Sequence, residues 1–179
     1  MKTAQRLLLA LTVAFAVAAC KSTPEPVEDT SATDTSTTDT SSTDATTSAA
    51  PDPRDYTDAR NFDNAESLLS KRVIYFDFDK SEVKAEYRAI VAAHAAYMAA
   101  SGSARVTLES HADERGTREY NLGLGERRGN AVKGMLSAGG ARGSQKNVVS
   151  YGEERPVCRV SDEDCWWQNR RVEIVYTAR

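Results

Sequence analysis

Two carboxylates, Asp77 and Asp79, stand at the end of a short apolar run in the stretch VIYFDFDKSE, residues 73–82. The Val, Ile, Tyr and Phe residues favour a buried strand, and apolar residues at helical spacing follow Ser81. Two carboxylates at a strand end can perform phosphoryl transfer, with one as the nucleophile and the other as its acid partner. The stretch therefore raises the hypothesis of an enzyme that acts on phosphate esters.

A phosphatase of the haloacid-dehalogenase type requires more than this first motif. It needs a later Lys or Arg for phosphate, acidic residues at another strand end for magnesium, and a doubly wound parallel sheet. The later acidic cluster, Asp162–Asp164, lies between two cysteines in a stretch that is typical of a surface loop. The alternative is structural: Asp79 or Ser81 caps the following helix, and Phe76 and Phe78 pack into the protein.

A second pair of chemically useful residues, Asp113 and Arg128, lies fifteen positions apart in the stretch ESHADERGTREYNLGLGERRGNAV. Asp113 follows a predicted strand and Arg128 lies about two turns into the next helix, so the two side chains can meet at one edge of a sheet. Such a pair can form a structural salt bridge. It can also bind a zwitterion, because Asp takes an ammonium group and Arg takes a carboxylate through two parallel hydrogen bonds.

Periodic patterns predict the elements that would position these residues. Helical spacing predicts one helix from Ser81 to the Ser101–Ser103 break and a second from about Glu119 to Ala138. Alternation predicts strands in RVTLESH, NVVSYG and RRVEIVY, after a first strand at Val73–Phe76. A short amphipathic stretch before them, NFDNAESLLS, predicts a lead-in helix. The order β-α-β-α-β-β predicts an α+β sandwich, in which helices cover one face of a mixed sheet.

The first 20 residues have the composition of an export signal. Two basic residues precede an apolar stretch that is too short to anchor the chain in a bilayer. The last four residues, VAAC, resemble a bacterial lipobox, in which the Cys becomes the lipid-modified first residue of the mature protein; an ordinary cleaved signal is the alternative. We therefore expect a signal peptide over residues 1–19 and lipidation of Cys20. Lys21 after the Cys favours sorting to the outer membrane.

The segment from Cys20 to Asp55 is rich in Ser, Thr and Asp and contains no aromatic residue. Because it has no apolar surface to offset the entropy of ordering, we expect residues 20–55 to form a disordered tether. Such a tether can span about 120 Å when stretched and roughly 30–35 Å when relaxed. It carries eight acidic and two basic residues, whereas residues 56–179, the predicted single domain, carry 18 and 19. No basic stripe is present, so nucleic-acid binding is not expected.

The predicted domain contains two cysteines, Cys158 and Cys165, separated by six residues. In an exported protein a disulfide across that loop is permitted, and two free thiols are the alternative. The spacing differs from that of a Cys-x-x-Cys redox pair, and the chain has only two His, so we expect neither a metal site nor a cofactor. His94 lies on the apolar face of its helix and is expected in the core, whereas His111 orients the Asp113 loop, packs or faces solvent.

The stretches YFDFDKS, HADERGTREYNLGLGERR, VSYGEERP and NRRVEIVY occur in this order over residues 72–178. They resemble the peptidoglycan-associated lipoprotein (Pal) family and, more broadly, OmpA-like C-terminal domains. The resemblance implies an OmpA-like fold, no enzymatic activity, and non-covalent binding of peptidoglycan through the ammonium and carboxylate groups of meso-diaminopimelate in the stem peptide. The lipobox and the tether are similar to those of the lipoproteins in this family, rather than to its barrel-attached members.

The resemblance also implies the ligand-binding residues. In this family the Asp of the HAD segment and the last Arg of the Asn-x-x-Leu-x-x-x-Arg segment hold the ligand, and they correspond to Asp113 and Arg128. On this interpretation FDFDKS is a wall of the binding cleft. An unpaired buried Arg is costly, so we expect strong discrimination against Lys-type peptidoglycan, which lacks one carboxylate. Further contacts are implied for Phe78, Asp79, Thr117, Asn121, Leu124 and Asn169.

Partners and location follow from the same resemblance. Pal-like proteins are held in the outer membrane by the N-terminal lipid, face the periplasm, and partner with TolB and other Tol proteins during envelope constriction at cell division. TolB is then expected to compete with peptidoglycan. Three alternatives remain: an OmpA-like wall-binding lipoprotein without a Tol partner, the phosphatase, and a purely structural ion pair between Asp113 and Arg128.

Three positions depart from the usual family pattern. Ser110 stands where Gly is usual, and Gly125 and Gly129 stand where Ser and Ala are common. Each Gly costs about 1 kcal/mol relative to Ala in a helix. We therefore expect these glycines either to loosen the helix that carries Arg128 or to mark a close approach by another element.

Overall fold

The computed structural model describes residues 50–179, so the predicted signal peptide, Cys20 and most of the predicted tether lie outside the described residues. The strands and helices are β1 (Val73–Tyr75), α1 (Ala85–Ala100), β2 (Arg105–His111), α2 (Arg118–Ala138), β3 (Lys146–Gly152), α3 (Glu163–Asn169) and β4 (Arg171–Ala178). Short 3₁₀ turns occur at Ala59–Phe62, Leu68–Ser70 and Gly143–Gln145.

The four strands form one mixed sheet in the order β1-β4-β2-β3. β2 pairs in parallel with β3 and antiparallel with β4, and β1 pairs antiparallel with β4. In this register β1, β2 and β3 all run in one direction, and their carboxyl ends lie at the same edge of the sheet. The mixed α+β architecture confirms the prediction and brings the segments after β1 and β2 together.

One face of the sheet is covered by α1 and α2, as predicted. The shared core contains Ile74, Val106, Leu108, Val172 and Ile174 from the sheet and Ile90, Val91, Met98, Val132 and Leu136 from the helices. Each such aliphatic side chain contributes about 1.5–3 kcal/mol when it is fully buried. His94 lies in this core, as expected, with Nδ1 3.0 Å from the Tyr176 hydroxyl and Nε2 2.9 Å from the Lys71 carbonyl oxygen.

The first helix begins later than predicted, and the two predicted caps are wrong. Lys84 is the N-cap of α1 and makes no side-chain capping bond. Before it the chain turns, and the amide of Lys80 donates to the carbonyl of Asp77 at 3.2 Å. Asp79 has a φ of 56°, in the left-handed region that non-glycine residues rarely adopt. This turn takes Asp79 and Ser81 away from the helix axis, so neither can cap α1.

Two short segments differ from their predictions. The stretch NFDNAESLLS forms two 3₁₀ turns and not an α-helix. The stretch predicted as a surface loop around Asp162–Asp164 begins α3, because the Asp162 side chain accepts a hydrogen bond from the Cys165 amide at 2.9 Å. Cys158 and Cys165 are joined by a disulfide, with their Cα atoms 5.2 Å apart. The disulfide and the cap together fix the start of this helix.

Glycines in α2 allow the helix to lie directly on the sheet. A Cβ atom at Gly125 would come within 2.3 Å of Ser150 Oγ, and one at Gly129 within 2.5 Å of both Ser110 Oγ and Val148 Cγ1. Optimal carbon contacts are about 3.5–4.0 Å. Of the two expectations for these glycines, close approach is therefore correct. Ser110 fills the space that Gly129 leaves open, so these two departures from the family pattern compensate for each other.

The N-terminal edge of the described region is held by one buried side chain. Asn61 Nδ2 donates to the carbonyl oxygens of Asp52 at 2.7 Å and Asp55 at 2.8 Å. The last residues of the segment predicted as a tether therefore lie against the domain. Between residues 50 and 179, no helix combines the length and apolar character that a membrane crossing needs.

Candidate functional site

A pocket of about 190 Å³ opens at the sheet edge where β1 and β2 end. Its lining residues come from the turn after β1, the loop after β2 and the first half of α2: Phe78, Asp79, Asp113, Arg115, Gly116, Tyr120, Leu124 and Arg128. Five of these, Phe78, Asp79, Asp113, Leu124 and Arg128, belong to the set predicted from the sequence. The structure therefore brings the central predicted residues together in one cavity.

Arg128 forms the bottom of this pocket and is completely buried. Its Nε donates to the Lys80 carbonyl at 2.8 Å, Nη1 to the His111 carbonyl at 2.9 Å and Nη2 to the Asp77 carbonyl at 3.1 Å. We call Arg128 with these three carbonyl groups the pocket floor. Burial lowers the pKa of Arg128 to about 10, so the guanidinium stays charged at neutral pH. It joins the turn after β1 to the end of β2.

Asp113 is 4% exposed and is held by two other arginines. Its Oδ2 accepts hydrogen bonds from Arg115 Nη2 at 2.6 Å and Arg170 Nη1 at 3.1 Å, and its Oδ1 accepts one from the Arg115 amide at 3.1 Å. Within residues 50–179, its ion pairs are with these arginines and not with Arg128. The alternative of a structural ion pair between Asp113 and Arg128 is therefore wrong.

The charge state of Asp113 follows from two opposing effects. Burial by itself would raise the pKa of this carboxyl, but the hydrogen bonds from Arg115 and Arg170 outweigh burial and hold the pKa below its usual value. At neutral pH the pocket therefore presents a carboxylate and a guanidinium that do not neutralise each other directly.

The mouth of the pocket is built from exposed side chains. Phe78 is 54% exposed, so the expectation that it packs into the protein is wrong. Its ring centroid lies 3.9 Å from Arg115 Cζ, and the ring of Trp166 lies 4.1 Å from the same carbon. The Tyr120 hydroxyl donates to the Asp79 carboxylate. We call Phe78, Asp79, Arg115 and Tyr120 the pocket rim.

Three predicted contact residues surround the pocket without lining it. Thr117 is the N-cap of α2 and accepts a hydrogen bond through its side-chain oxygen. Asn121 donates to the Arg115 carbonyl at 3.1 Å. Asn169 bonds three backbone groups of the disulfide-bonded loop, at 2.7–3.1 Å. All three hold the loops and helix ends that carry the lining residues.

Two rim residues, Arg115 and Tyr120, and one supporting residue, Arg170, are not among the site residues predicted from the sequence. Arg115 lies two positions after Asp113, and Tyr120 lies one helical turn before Leu124, so spacing alone could have placed both beside predicted site residues. Arg170 is 57 positions from the Asp113 carboxylate that it binds, and no local pattern indicates that contact. Only the pairing of β4 between β1 and β2 brings it there.

The pair that raised the phosphatase hypothesis has other partners. Asp77 forms ion pairs with Lys84 at 2.9 Å and Lys80 at 3.7 Å, and Asp79 accepts from Tyr120. The sheet is mixed and not doubly wound and parallel. In the part of the chain that the structure describes, no group of three or more His, Cys, Asp or Glu residues could hold a metal ion. These observations argue against a haloacid-dehalogenase-type enzyme.

Comparison with known proteins finds relatives that are named peptidoglycan-associated lipoproteins. The peptidoglycan-associated lipoprotein of Pasteurella multocida is 47% identical over 103 residues, which cover 58% of this chain and 69% of the relative. That of Pseudomonas putida is 48% identical over 108 residues, covering 60% of this chain and 64% of the relative. The chain thus matches about two thirds of the length of these relatives.

A solved structure and a family profile cover the same region. The crystal structure of the peptidoglycan-associated lipoprotein from Burkholderia pseudomallei matches with a TM-score of 0.63 and 41% identity, over 65% of this chain and 98% of that chain. The profile of the OmpA family matches residues 75–169, which begin at the last residue of β1 and include the pocket and α3. The chain therefore belongs to the OmpA family and, within it, to the peptidoglycan-associated lipoproteins.

Proposed function

We propose that this protein is an outer-membrane lipoprotein that ties that membrane to peptidoglycan by non-covalent binding of diaminopimelate in the stem peptide. One observation carries the proposal: a buried carboxylate, Asp113, and a buried guanidinium, Arg128, line the same small cavity without pairing with each other. The relatives named above are called peptidoglycan-associated, which supports the choice of ligand. The proposal assigns binding to the pocket and no catalytic step.

The hydrogen-bonding capacity of the pocket suits a zwitterion. A carboxylate has about four lone-pair positions, and Asp113 uses three of them on Arg115 and Arg170. A ligand ammonium takes the fourth. Arg128 has five N–H groups, three of which bind the floor carbonyls, so two can bind a carboxylate. At about 190 Å³, the cavity is smaller than the roughly 300 Å³ of a pocket for a drug-sized ligand, and it fits the end of one side chain.

The same geometry limits how strongly the site can reject lysine. A Lys-type stem peptide lacks the carboxylate that Arg128 would bind, but Arg128 keeps its three carbonyl partners and is not left unpaired. The discrimination therefore comes from lost hydrogen bonds to a charged group, about 1.5–3 kcal/mol each. With two such hydrogen bonds lost, we expect a preference for diaminopimelate of at most about 3–6 kcal/mol.

The anchor is proposed from the N-terminal sequence. After removal of the signal peptide, residues 1–19, a lipid on Cys20 would hold the chain in the outer membrane, with the domain of residues 56–179 facing the periplasm. The segment over residues 20–55 would act as a tether with a maximal reach of about 120 Å. Such a reach lets the pocket meet a wall that is set back from the membrane surface.

We also propose TolB, and other Tol proteins, as partners during envelope constriction at cell division, and family membership supports this. Phe78 and Tyr120 are exposed aromatic residues at the rim, the type of side chain that protein partners often cover. A partner on that surface would compete with peptidoglycan. If TolB pull-down recovers nothing while the wall still binds, the protein is an OmpA-like anchor without a Tol partner.

Co-sedimentation with purified sacculi tests the central proposal. The full chain in detergent is mixed with diaminopimelate-type sacculi, and a soluble stem peptide is added as competitor, with either diaminopimelate or lysine as the residue whose side-chain end is free. We expect the parent to pellet, the diaminopimelate peptide to release it at lower concentration than the lysine peptide, and the isosteric Asp113→Asn variant to stay in the supernatant. Arg118→Gln, an exposed arginine that pairs with Glu154 outside the pocket, is the matched control and should pellet.

Two results would count against this function. A parent chain that stays in the supernatant would remove the wall as the ligand. Equal release by the lysine and diaminopimelate peptides would show that the second carboxylate is not recognised, and that Arg128 does not bind it.

A further inference from the structure

Four charged side chains beside the pocket form a closed ring. Asp113 binds Arg115 at 2.6 Å and Arg170 at 3.1 Å. Glu163 binds the same two arginines from the other side, with Arg115 Nη2 3.5 Å away and Arg170 Nη2 in direct hydrogen-bond contact. We call these four residues the charge ring. Its two carboxylates and two guanidiniums carry no net charge.

The members of the charge ring differ in their access to solvent and to the pocket. The side chains of Asp113 and Arg170 are 4% and 6% exposed, whereas that of Glu163 is 58% exposed. Asp113 and Arg115 line the cavity, and Glu163 does not. Glu163 can therefore act on a ligand only through the two arginines that it shares with Asp113.

Glu163 owes its position to α3 and the disulfide-bonded loop. It lies in the first turn of α3, whose N-cap is Asp162. A helix of seven residues is not stable alone in water, but the bond between Cys158 and Cys165 ties this one to the preceding loop. One turn further on, the ring of Trp166 stacks on Arg115, with the centroid 4.1 Å from Cζ. The helix thus holds Arg115 by charge and by stacking.

We propose that Glu163 is a positioning residue for the ammonium end of the ligand. Both arginines bind Asp113, and Glu163 offsets one of their two positive charges, so the Asp113 carboxylate does not lie beside an excess of positive charge. This inference rests on the proposed function, because it concerns how that pocket accepts an ammonium group. Glu163 itself does not touch the ligand.

Removal of this carboxylate should weaken binding through charge. Without Glu163 the ring has two guanidiniums and one carboxylate, so Asp113 is the ring's one remaining anion and the site carries one excess positive charge. A ligand ammonium then meets a weaker anion and a net repulsion. One uncompensated charge several ångströms away, in partly buried surroundings, changes affinity by on the order of tenfold.

Single and double variants distinguish a charge-balancing role of Glu163 from a purely structural one. Binding of free meso-diaminopimelate to the full chain in detergent is measured by calorimetry for the parent, Glu163→Gln, Arg115→Met and the double variant. We expect Glu163→Gln to bind about tenfold more weakly and the double variant to return to within about threefold of the parent, because removal of one cation restores neutrality. Glu154→Gln removes a carboxylate from the Arg118 pair outside the pocket and should bind like the parent.

The outcomes are distinct. If Glu163→Gln binds like the parent, or if the double variant binds more weakly than either single variant, the inference is overturned, because a purely supporting role makes the losses add. Thermal unfolding of each variant shows whether the fold is kept, and the exposure of Glu163 makes a folded Gln variant the expected result. If the parent itself binds no diaminopimelate, the proposed function fails as well.

Discussion

The pocket floor and the pocket rim each contain an arginine, but different partners hold the two side chains. Arg128 in the floor is completely buried, and three backbone carbonyls bind it. Arg115 in the rim is 30% exposed and is held by Asp113, Glu163 and two aromatic rings. The fold alone therefore fixes the first arginine, whereas neighbouring side chains set the position of the second.

This difference predicts where substitutions act. Backbone carbonyls keep their positions as long as the strands and turns do. A substitution in the pocket floor should therefore lower the free energy of unfolding and weaken ligand binding together. Rim contacts are made by side chains on the surface, where a single hydrogen bond contributes about 1 kcal/mol or less. A change there should alter binding before it alters the free energy of unfolding.

The largest effect is expected for Arg128→Met. The substitution removes a buried charge and the hydrogen bonds that Arg128 donates to the carbonyl groups of Lys80, His111 and Asp77, of which Asp77 keeps the Lys80 amide as a donor. We therefore expect a loss of about 3–5 kcal/mol in the free energy of unfolding. Urea denaturation measures this loss. Arg127→Met, at the exposed neighbouring position, is the control and should change stability little. If Arg128→Met is nearly as stable as the parent, the pocket floor contributes no more to stability than the pocket rim does.

A smaller effect is expected where α2 lies on the sheet below Arg128. In Gly129→Ala the new Cβ would lie 2.5 Å from Ser110 Oγ and from Val148 Cγ1, and overpacking of this kind costs about 1–3 kcal/mol. Ser110→Gly should recover part of that cost, because it removes one of the two clashing atoms.

Thermal unfolding of the single and double variants measures the coupling between these positions. Gly134→Ala is the matched control in the same helix, because its Cβ would have no neighbour within 4 Å. It should stabilise the protein by up to about 1 kcal/mol. If Gly129→Ala stabilises the protein as much as Gly134→Ala does, the close approach of α2 to the sheet is wrong.

The smallest effect is expected in the rim. Tyr120→Phe keeps the ring but removes the hydroxyl that donates to Asp79, and both residues are exposed. We expect less than about 1 kcal/mol change in the free energy of unfolding. Measurements of the melting temperature and of the affinity for meso-diaminopimelate, made on the same variant, check this expectation. A loss of stability comparable to that of Arg128→Met would show that the rim is as structural as the floor.

Much of the fold follows from local sequence signals. The alternation in RVTLESH and RRVEIVY and the helical spacing from Glu119 to Ala138 correspond to β2, β4 and α2 within a residue or two. The convergence of Asp113 and Arg128 on one cavity is also predictable, because one follows a strand and the other lies on the next helix. Each of these signals depends on residues close together in the chain.

Two of the predictions from the sequence fail for different reasons. Asp79 and Ser81 have the residue types of a helix cap, but Arg128 binds the carbonyls of Asp77 and Lys80 and holds the chain in a turn before α1 begins. The acidic stretch that begins at Asp162 has the composition of a loop, yet it forms α3 beside a disulfide. At the first place a contact from a distant part of the chain overrides the local preference. At the second, a disulfide between residues seven positions apart and the Asp162 cap stabilise a short helix that composition alone does not indicate.

The sequence by itself determined the order of the four strands and the two long helices, the position of the first strand-end carboxylates, and the two residues at the centre of the pocket, because periodicity and spacing are local properties. Only the tertiary structure decided which charges meet. Asp113 pairs with Arg170, the residue immediately before β4, and not with Arg128, and Glu163 balances the two arginines around it. The contact between Asp113 and Arg170 joins residues 57 positions apart, and it exists because the sheet places β4 between β1 and β2.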